Sequence, residues 1–134
     1  RPLQHGDVLE TGSRRVRHLD TPHVPHGWDA GLIFEETTQT LFCGDLFTAF
    51  GHHPTTTEEE IVGPAIAAED MGSATCLTPA LGPTIRGLAD LEPLLLAPMH
   101  APVFTGDCVR SLQDLAQAYE ERMAAEAARY REAE

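Results

Sequence analysis

Apolar residues fall into two spacings along this chain. Short strand-like runs dominate the first third, and a helical stripe occupies the last quarter. Gly31 to Glu36 (GLIFEE) and Thr40 to Asp45 (TLFCGD) are separated by Thr37, Thr38 and Gln39. This predicts a tight antiparallel hairpin. The second run is almost continuously apolar, which predicts a strand buried on both faces. Upstream, Val8-Leu9 and a run through Val16, His18 and Leu19 flank Gly12, and His5-Gly6-Asp7 is a turn signal. A first hairpin is predicted there, leading into residues 21–30.

Downstream the spacing changes. Thr56 with Glu59 has the form of a capping box. It predicts a short helix from about Glu58 to Gly63-Pro64, with another turn or two from Pro64 through Met71. Residues 73–84 contain Pro79, Gly82 and Pro83 and read as loop. Ile85, Leu88 and Leu91 share one helical face, and Leu94 to Met99 reads as a buried strand ending at His100. From Asp107 to about Arg131, the residues Leu112, Leu115, Ala116, Tyr119, Met123 and Tyr130 form one stripe. The Tyr and Met positions there are core positions of a long amphipathic helix docked on a sheet. The chain is thus of the α/β class, with a mostly antiparallel sheet, flanking helices and a long C-terminal helix.

Composition narrows the function classes. The chain has 134 residues, 42% of them hydrophobic, which suits a single globular domain. Net charge is −12, and all nine basic residues are arginine. An acidic surface without a basic stripe argues against nucleic acid or an anionic membrane as partner. Cys43, Cys76 and Cys108 are odd in number and form no C-x-x-C. This argues against a zinc ribbon or redox pair and predicts free thiols in a reducing, cytoplasmic setting. No apolar run reaches the roughly 18–20 residues of a membrane span, and no signal peptide opens the sequence.

The candidate chemistry lies in three places. His26 precedes Gly-Trp-Asp-Ala in a polar loop, Asp45 ends an apolar run, and His100 ends another. A histidine in a polar loop is most often a surface residue. A carboxylate closing a buried strand is costly unless something compensates it, either a metal ion or a hydrogen bond at a helix start. Residues gathered at strand ends are also how α/β proteins assemble sites from loops at one sheet edge. His23, directly after Thr21-Pro22, competes with His26 for the loop position. His52 and His53 follow Asp45 closely and read as loop residues near the same cleft.

The segments TPHVPHGWDAG, LFCGDLF and LLLAPMHAPVF resemble the third, fourth and fifth metal-binding motifs of the metallo-β-lactamase superfamily. GDVLETGSRRVRHLDTP resembles the strand pair before the third motif. HGWDA and APMHAP are most similar to the diiron, flavodiiron-type branch. The similarity runs from about Gly6 to Tyr119. It implies the C-terminal half of an αββα sandwich, so that residues 1–134 make one partial domain lacking the N-terminal half. It further implies a two-metal site of zinc or iron. His26 (alternatively His23) would ligate the first ion, Asp45 would bridge both, and His100 would ligate the second. Asp29 matches an acidic catalytic position behind the ligands. Two departures stand out. Ala101 replaces the usual glycine after the last histidine, and the first ligand motif, His-x-His/Glu-x-Asp-His, has no counterpart in the chain.

The resemblance implies a metal-dependent hydrolase acting on an ester, thioester, amide or phosphoester of a small-molecule substrate. A second implication is a diiron oxygen- or nitric-oxide-reducing centre supplied with electrons by a partner. A third possibility, of a different class, is a non-catalytic half-domain or interaction module. Three residues split between two ions fall short of the three protein ligands a catalytic zinc takes, so the isolated chain is expected to be inactive. One sheet with nothing opposite would leave an apolar face. That face is expected to be covered by a missing N-terminal half or by a second copy in a homodimer.

Overall fold

Alternation along the strands decides which side of the sheet becomes core. The computed structural model describes residues 1–133. The first hairpin is β1 (Val8–Thr11) with β2 (Arg14–Asp20), and the second is β3 (Gly31–Glu35) with β4 (Thr40–Gly44). Both fall where the apolar pattern predicts them. The chain then passes through β5 (Thr56–Thr57), α1 (Val62–Gly72) and α2 (Leu81–Ala89). It re-enters the sheet as β6 (Leu95–Pro98) and β7 (Val103–Phe104) and closes with α3 (Cys108–Glu132). The strand order is β1-β2-β3-β4-β6-β7-β5. The pairings β1–β2, β2–β3, β3–β4 and β6–β7 are antiparallel, whereas β4–β6 and β5–β7 are parallel. The sheet is therefore mixed and mostly antiparallel, as expected.

The core lies on one face. Leu19, Leu32, Phe34, Leu41, Leu96 and Phe104 from the strands meet Ile85, Leu88, Leu112, Leu115 and Tyr119 from α2 and α3. Burying each such large apolar side chain contributes about 1.5–3 kcal/mol. On the opposite face His18, Ile33, Phe42 and Ala97 form a row across four strands. Ile33 is 45% and Phe42 48% exposed. This corrects the expectation that the Thr40–Asp45 strand is buried on both faces. Its apolar run is continuous, but the helices cover one side only. In the predicted strand Leu94–Met99, only Leu95–Pro98 pairs, and Leu94 and Met99 are exposed.

The helix boundaries also differ from the sequence pattern. Thr56 and Thr57 pair with Val103 and Phe104 instead of starting a helix. The N-cap position of α1 is Ile61, and the carboxylate of Glu60 just before it accepts the Val62 and Gly63 N–H groups. Pro64 is the third residue of α1, where a backbone N–H would be unpaired anyway, so the helix runs through it without a break. Pro83 has the same place in α2, which makes residues 81–84 helix rather than loop. Asp107 caps α3 by accepting the Arg110 N–H at 3.0 Å. The apolar stripe of α3 is buried through Tyr119. Met123 is half-buried and Tyr130 is 74% exposed, so the last turns extend beyond the core. No helix among the described residues is long and apolar enough to cross a membrane.

The β3–β4 turn is organised by Glu35. Its carboxylate accepts the Thr38 hydroxyl and, at 2.9 Å each, the backbone N–H groups of Thr38 and Thr37. These bonds, the Thr38 hydroxyl first, hold its pKa down to about 2. A folded-state pKa below the unfolded value of roughly 4.3 gives stabilisation that is complete above that value. It is lost as pH falls toward the folded pKa. Glu35→Gln should therefore lower stability at neutral pH and flatten the loss between about pH 4.5 and 2 in urea unfolding. An unchanged acid limb would show that this carboxylate does not carry it.

Candidate metal centre

The parallel pairing of β4 with β6 determines which residues meet at the end of the sheet. Asp45 directly follows β4, and His100 lies two residues past β6. The Met99 N–H donates to the Gly44 carbonyl at 2.8 Å, and the Ala49 N–H donates to the His100 carbonyl at 3.0 Å. These bonds join the two strand exits. The register shifts between Phe42 and Gly44, which inserts one residue before Asp45. Such bulges re-aim the side chains that follow them. Gly44 has φ +54°, and a Cβ there would lie 3.3 Å from Leu32 Cδ2. Glycine is thus favoured by the backbone conformation, and a side chain would also press on Leu32.

His26 reaches the same place on a closed loop. The Thr21 N–H donates to the Ala30 carbonyl, the Val24 N–H to that of Thr21, and the His23 N–H to that of Trp28. Buried Thr21 and Val24 anchor this loop to the core. A strap of residues 74–76 holds it from the other side. The Cys76 N–H donates to the Pro25 carbonyl at 2.6 Å, and His26 Nδ1 lies 2.8 Å from the Ala74 carbonyl oxygen. The His26 ring also rests against Trp28, with centroids 4.6 Å apart.

The two imidazoles meet opposite oxygens of one carboxylate. His26 Nε2 is 2.9 Å from Asp45 Oδ2, and His100 Nε2 is 3.3 Å from Asp45 Oδ1. A neutral imidazole carries one N–H. His26 has an oxygen within hydrogen-bond distance of each nitrogen, the Ala74 carbonyl at Nδ1 and the Asp45 carboxyl at Nε2. Donors each about 2.1 Å from a shared ion, at near-right or tetrahedral angles, are themselves about 3 Å apart. Both observed separations fit that spacing. The number of donors does not suffice: among the described residues no three His, Cys, Asp or Glu side chains are placed to hold one ion. Each side of the Asp45 carboxylate offers two protein donors, one imidazole nitrogen and one carboxylate oxygen.

The other candidates lie apart from this cluster. His23 is exposed, with a left-handed backbone at φ 60°. Asp29 is exposed beyond Trp28 and makes no hydrogen bond to the cluster among the described residues. His53 shares a shallow depression with His100, and His52 sits farther along the same loop. A cleft of about 210 Å³ opens beside His26, Asp45 and His100. Its far wall includes Glu69, Thr75 and Tyr119, none of which the sequence pattern singled out as site residues. No local signal marks Glu69 or Thr75, because their proximity to Asp45 is tertiary. Tyr119 is legible only as a core residue, which its ring is.

No protein-family model matches the chain, and no curated protein matches it by sequence. Solved structures do share its fold. The chemotaxis sensor ODP from T. denticola, in its apo state, is 17% identical with a TM-score of 0.65, over 81% of this chain and 46% of that one. A metallo-β-lactamase family protein from Thermus thermophilus is 22% identical with a TM-score of 0.60, over 92% and 36%. Rubredoxin oxygen:oxidoreductase from Desulfovibrio gigas is 18% identical with a TM-score of 0.65, over 87% and 32%. The fold is therefore that of the metallo-β-lactamase and diiron oxidoreductase proteins. This chain spans less than half the length of each of these three structures.

Two outcomes follow from this geometry. Gly44→Ala should cost about 1–2 kcal/mol in urea unfolding, the penalty of a left-handed residue with a side chain; an unchanged midpoint would contradict the described turn. Burial pushes the Cys43 thiol up to about 12 and that of Cys108 up to about 11, whereas Cys76 is half-exposed beside Gly27. Iodoacetamide should label Cys76 in the native protein and the other two only after unfolding, as read by peptide mass spectrometry.

Proposed function

We propose that this chain is the ligand-bearing half of a two-metal hydrolase of the metallo-β-lactamase type, acting on an ester, thioester, amide or phosphoester. The observation that carries the proposal is the Asp45 carboxylate shared by two imidazoles, one on each oxygen. In this reading His26 and Asp45 hold one zinc or iron ion, and Asp45 and His100 hold the other. Bound ions would supply an acidified water and polarise the substrate oxygen that gains charge. The chain's own residues prepare for this. The Ala74 carbonyl fixes His26 with its proton on Nδ1 and directs Nε2 at Asp45. Trp28 packs on the ring and limits its rotation. His100, 58% exposed, keeps its side of the carboxylate open to solvent. A catalytic ion takes about three protein ligands, so the remaining ligands come from outside this sequence. The chain alone is inactive in this reading.

A second reading, a diiron centre that reduces oxygen or nitric oxide, is favoured by the HGWDA and APMHAP segments. The fold shared with rubredoxin oxygen:oxidoreductase also supports it. It requires an external electron donor. The open sheet face bearing Ile33 and Phe42 is, in this proposal, where the rest of the domain packs. For the chain purified alone, a second copy takes that place.

Metal analysis after dialysis tests the reading. At most one weakly held zinc or iron per chain is expected, with affinity falling roughly 10–100-fold in Asp45→Asn and His26→Ala. Two tight ions held by this chain alone would refute the half-site. Visible absorbance from the iron-loaded chain in air, without ester hydrolysis, would favour the oxygen-reducing reading. No metal uptake at all would leave an interaction module. Light scattering should report a dimer that Phe42→Arg converts to monomer; a wild-type monomer that binds no hydrophobic dye would overturn the covered face.

A further inference from the structure

The cleft beside the cluster has a consistent chemistry of its own. Part of its wall is apolar: Ala65 and Ala68 of α1, Ala74 on the strap, and Phe50. The cleft measures about 210 Å³. It therefore suits a short substituent, not a drug-sized molecule, which needs about 300 Å³ or more.

One wall is charged and fixed. Glu69 Oε1 accepts the Thr75 N–H at 3.0 Å, and Oε2 accepts the Thr75 hydroxyl at 2.7 Å. The Tyr119 hydroxyl, at the tip of an otherwise buried ring, lies 3.3 Å from Thr75 Oγ. Both carboxylate oxygens are thus bonded to one residue. No lysine or arginine lines the cleft, and its carboxylates are Asp45 and Glu69. Asp45 is bracketed by two imidazoles, whereas Glu69 touches no histidine, lysine or arginine among the described residues. An anionic group placed against this wall would therefore face a like charge with no lysine or arginine beside it.

We propose that this cleft binds a short, uncharged acyl or alkyl group of the substrate, and that Glu69 is the specificity-determining residue that excludes anions from it. This rests on reading the His26–Asp45–His100 cluster as the reacting centre. It narrows the substrate to an ester, thioester, amide or phosphoester whose substituent next to the reacting bond is small and carries no carboxylate or phosphate.

Pivalamide and pivalate test this, since they share shape and size and differ in charge. Each is titrated into the metal-free full chain, with backbone amide shifts followed by two-dimensional NMR. Pivalamide, with about seven non-hydrogen atoms, should bind with Kd on the order of 1–10 mM and shift Ala68, Ala74 and Thr75. Pivalate should bind at least about tenfold more weakly. Glu69→Gln should bring the two probes within about threefold of each other. Ala68→Leu, which fills the cleft, should abolish pivalamide binding. If circular dichroism shows that variant unfolded, Ala65→Val serves in its place, with binding weakened or lost. Equal binding of both probes to the wild type, a preference unchanged in Glu69→Gln, shifts confined to other surfaces, or no binding of either probe would each overturn the proposal. The titration uses no metal. Charge discrimination without metal uptake would therefore sink only the two-metal reading, and metal uptake without discrimination would sink only this inference.

Discussion

The site depends on one strand pairing. β4 and β6 run parallel, so their C-terminal ends emerge at the same sheet edge, and the Met99–Gly44 hydrogen bond joins them where the chain leaves the sheet. An antiparallel arrangement would send Asp45 and His100 to opposite edges. A parallel neighbour needs a long crossover, and here it includes α1 and α2. That crossover also supplies Ala74, whose carbonyl orients His26, and Glu69, which walls the cleft. The element that makes the pairing possible thus also builds one side of the site.

The chain carries its local structure legibly and its boundaries less so. Both hairpins follow from short apolar runs separated by turn residues, and α3 follows from its stripe. Pro64 and Pro83 misled the helix boundaries because proline reads as a stop. Within a first turn it removes only an N–H that has no intrahelical partner. The Thr56–Glu59 motif was a false signal, because Thr56 and Thr57 pair with β7. The apolar continuity of β4 could not show that Phe42 would stay open, since that depends on which layers are present. His26, Asp45 and His100 were legible because each sits where an apolar run gives way to a loop. Thr75 and Glu69 were not, because nothing adjacent to them in sequence sets them apart.

The donors at the cluster and the layers of the sheet fall short in the same way. Two imidazoles share one carboxylate where two ions would need more donors, and one sheet face carries Ile33 and Phe42 in the open. Both are the features on which the proposed half-site rests. The core of this half is nonetheless complete on its own side, with Leu41, Ile85, Leu96, Leu112 and Leu115 fully enclosed.

The long last helix has a consequence for how the molecule opens. At about 1.5 Å per residue, its 25 residues extend about 38 Å. Up to Tyr119 they are locked into the core, and the Arg86–Glu120 ion pair at 2.7 Å fastens the next residue to α2. The later turns keep Arg122 paired with Asp70 but bury no residue. Helix strength in water comes mainly from packing. The element is therefore two cooperative units in one rod: an inner part that unfolds with the domain, and an outer part whose amide protons exchange through local fraying.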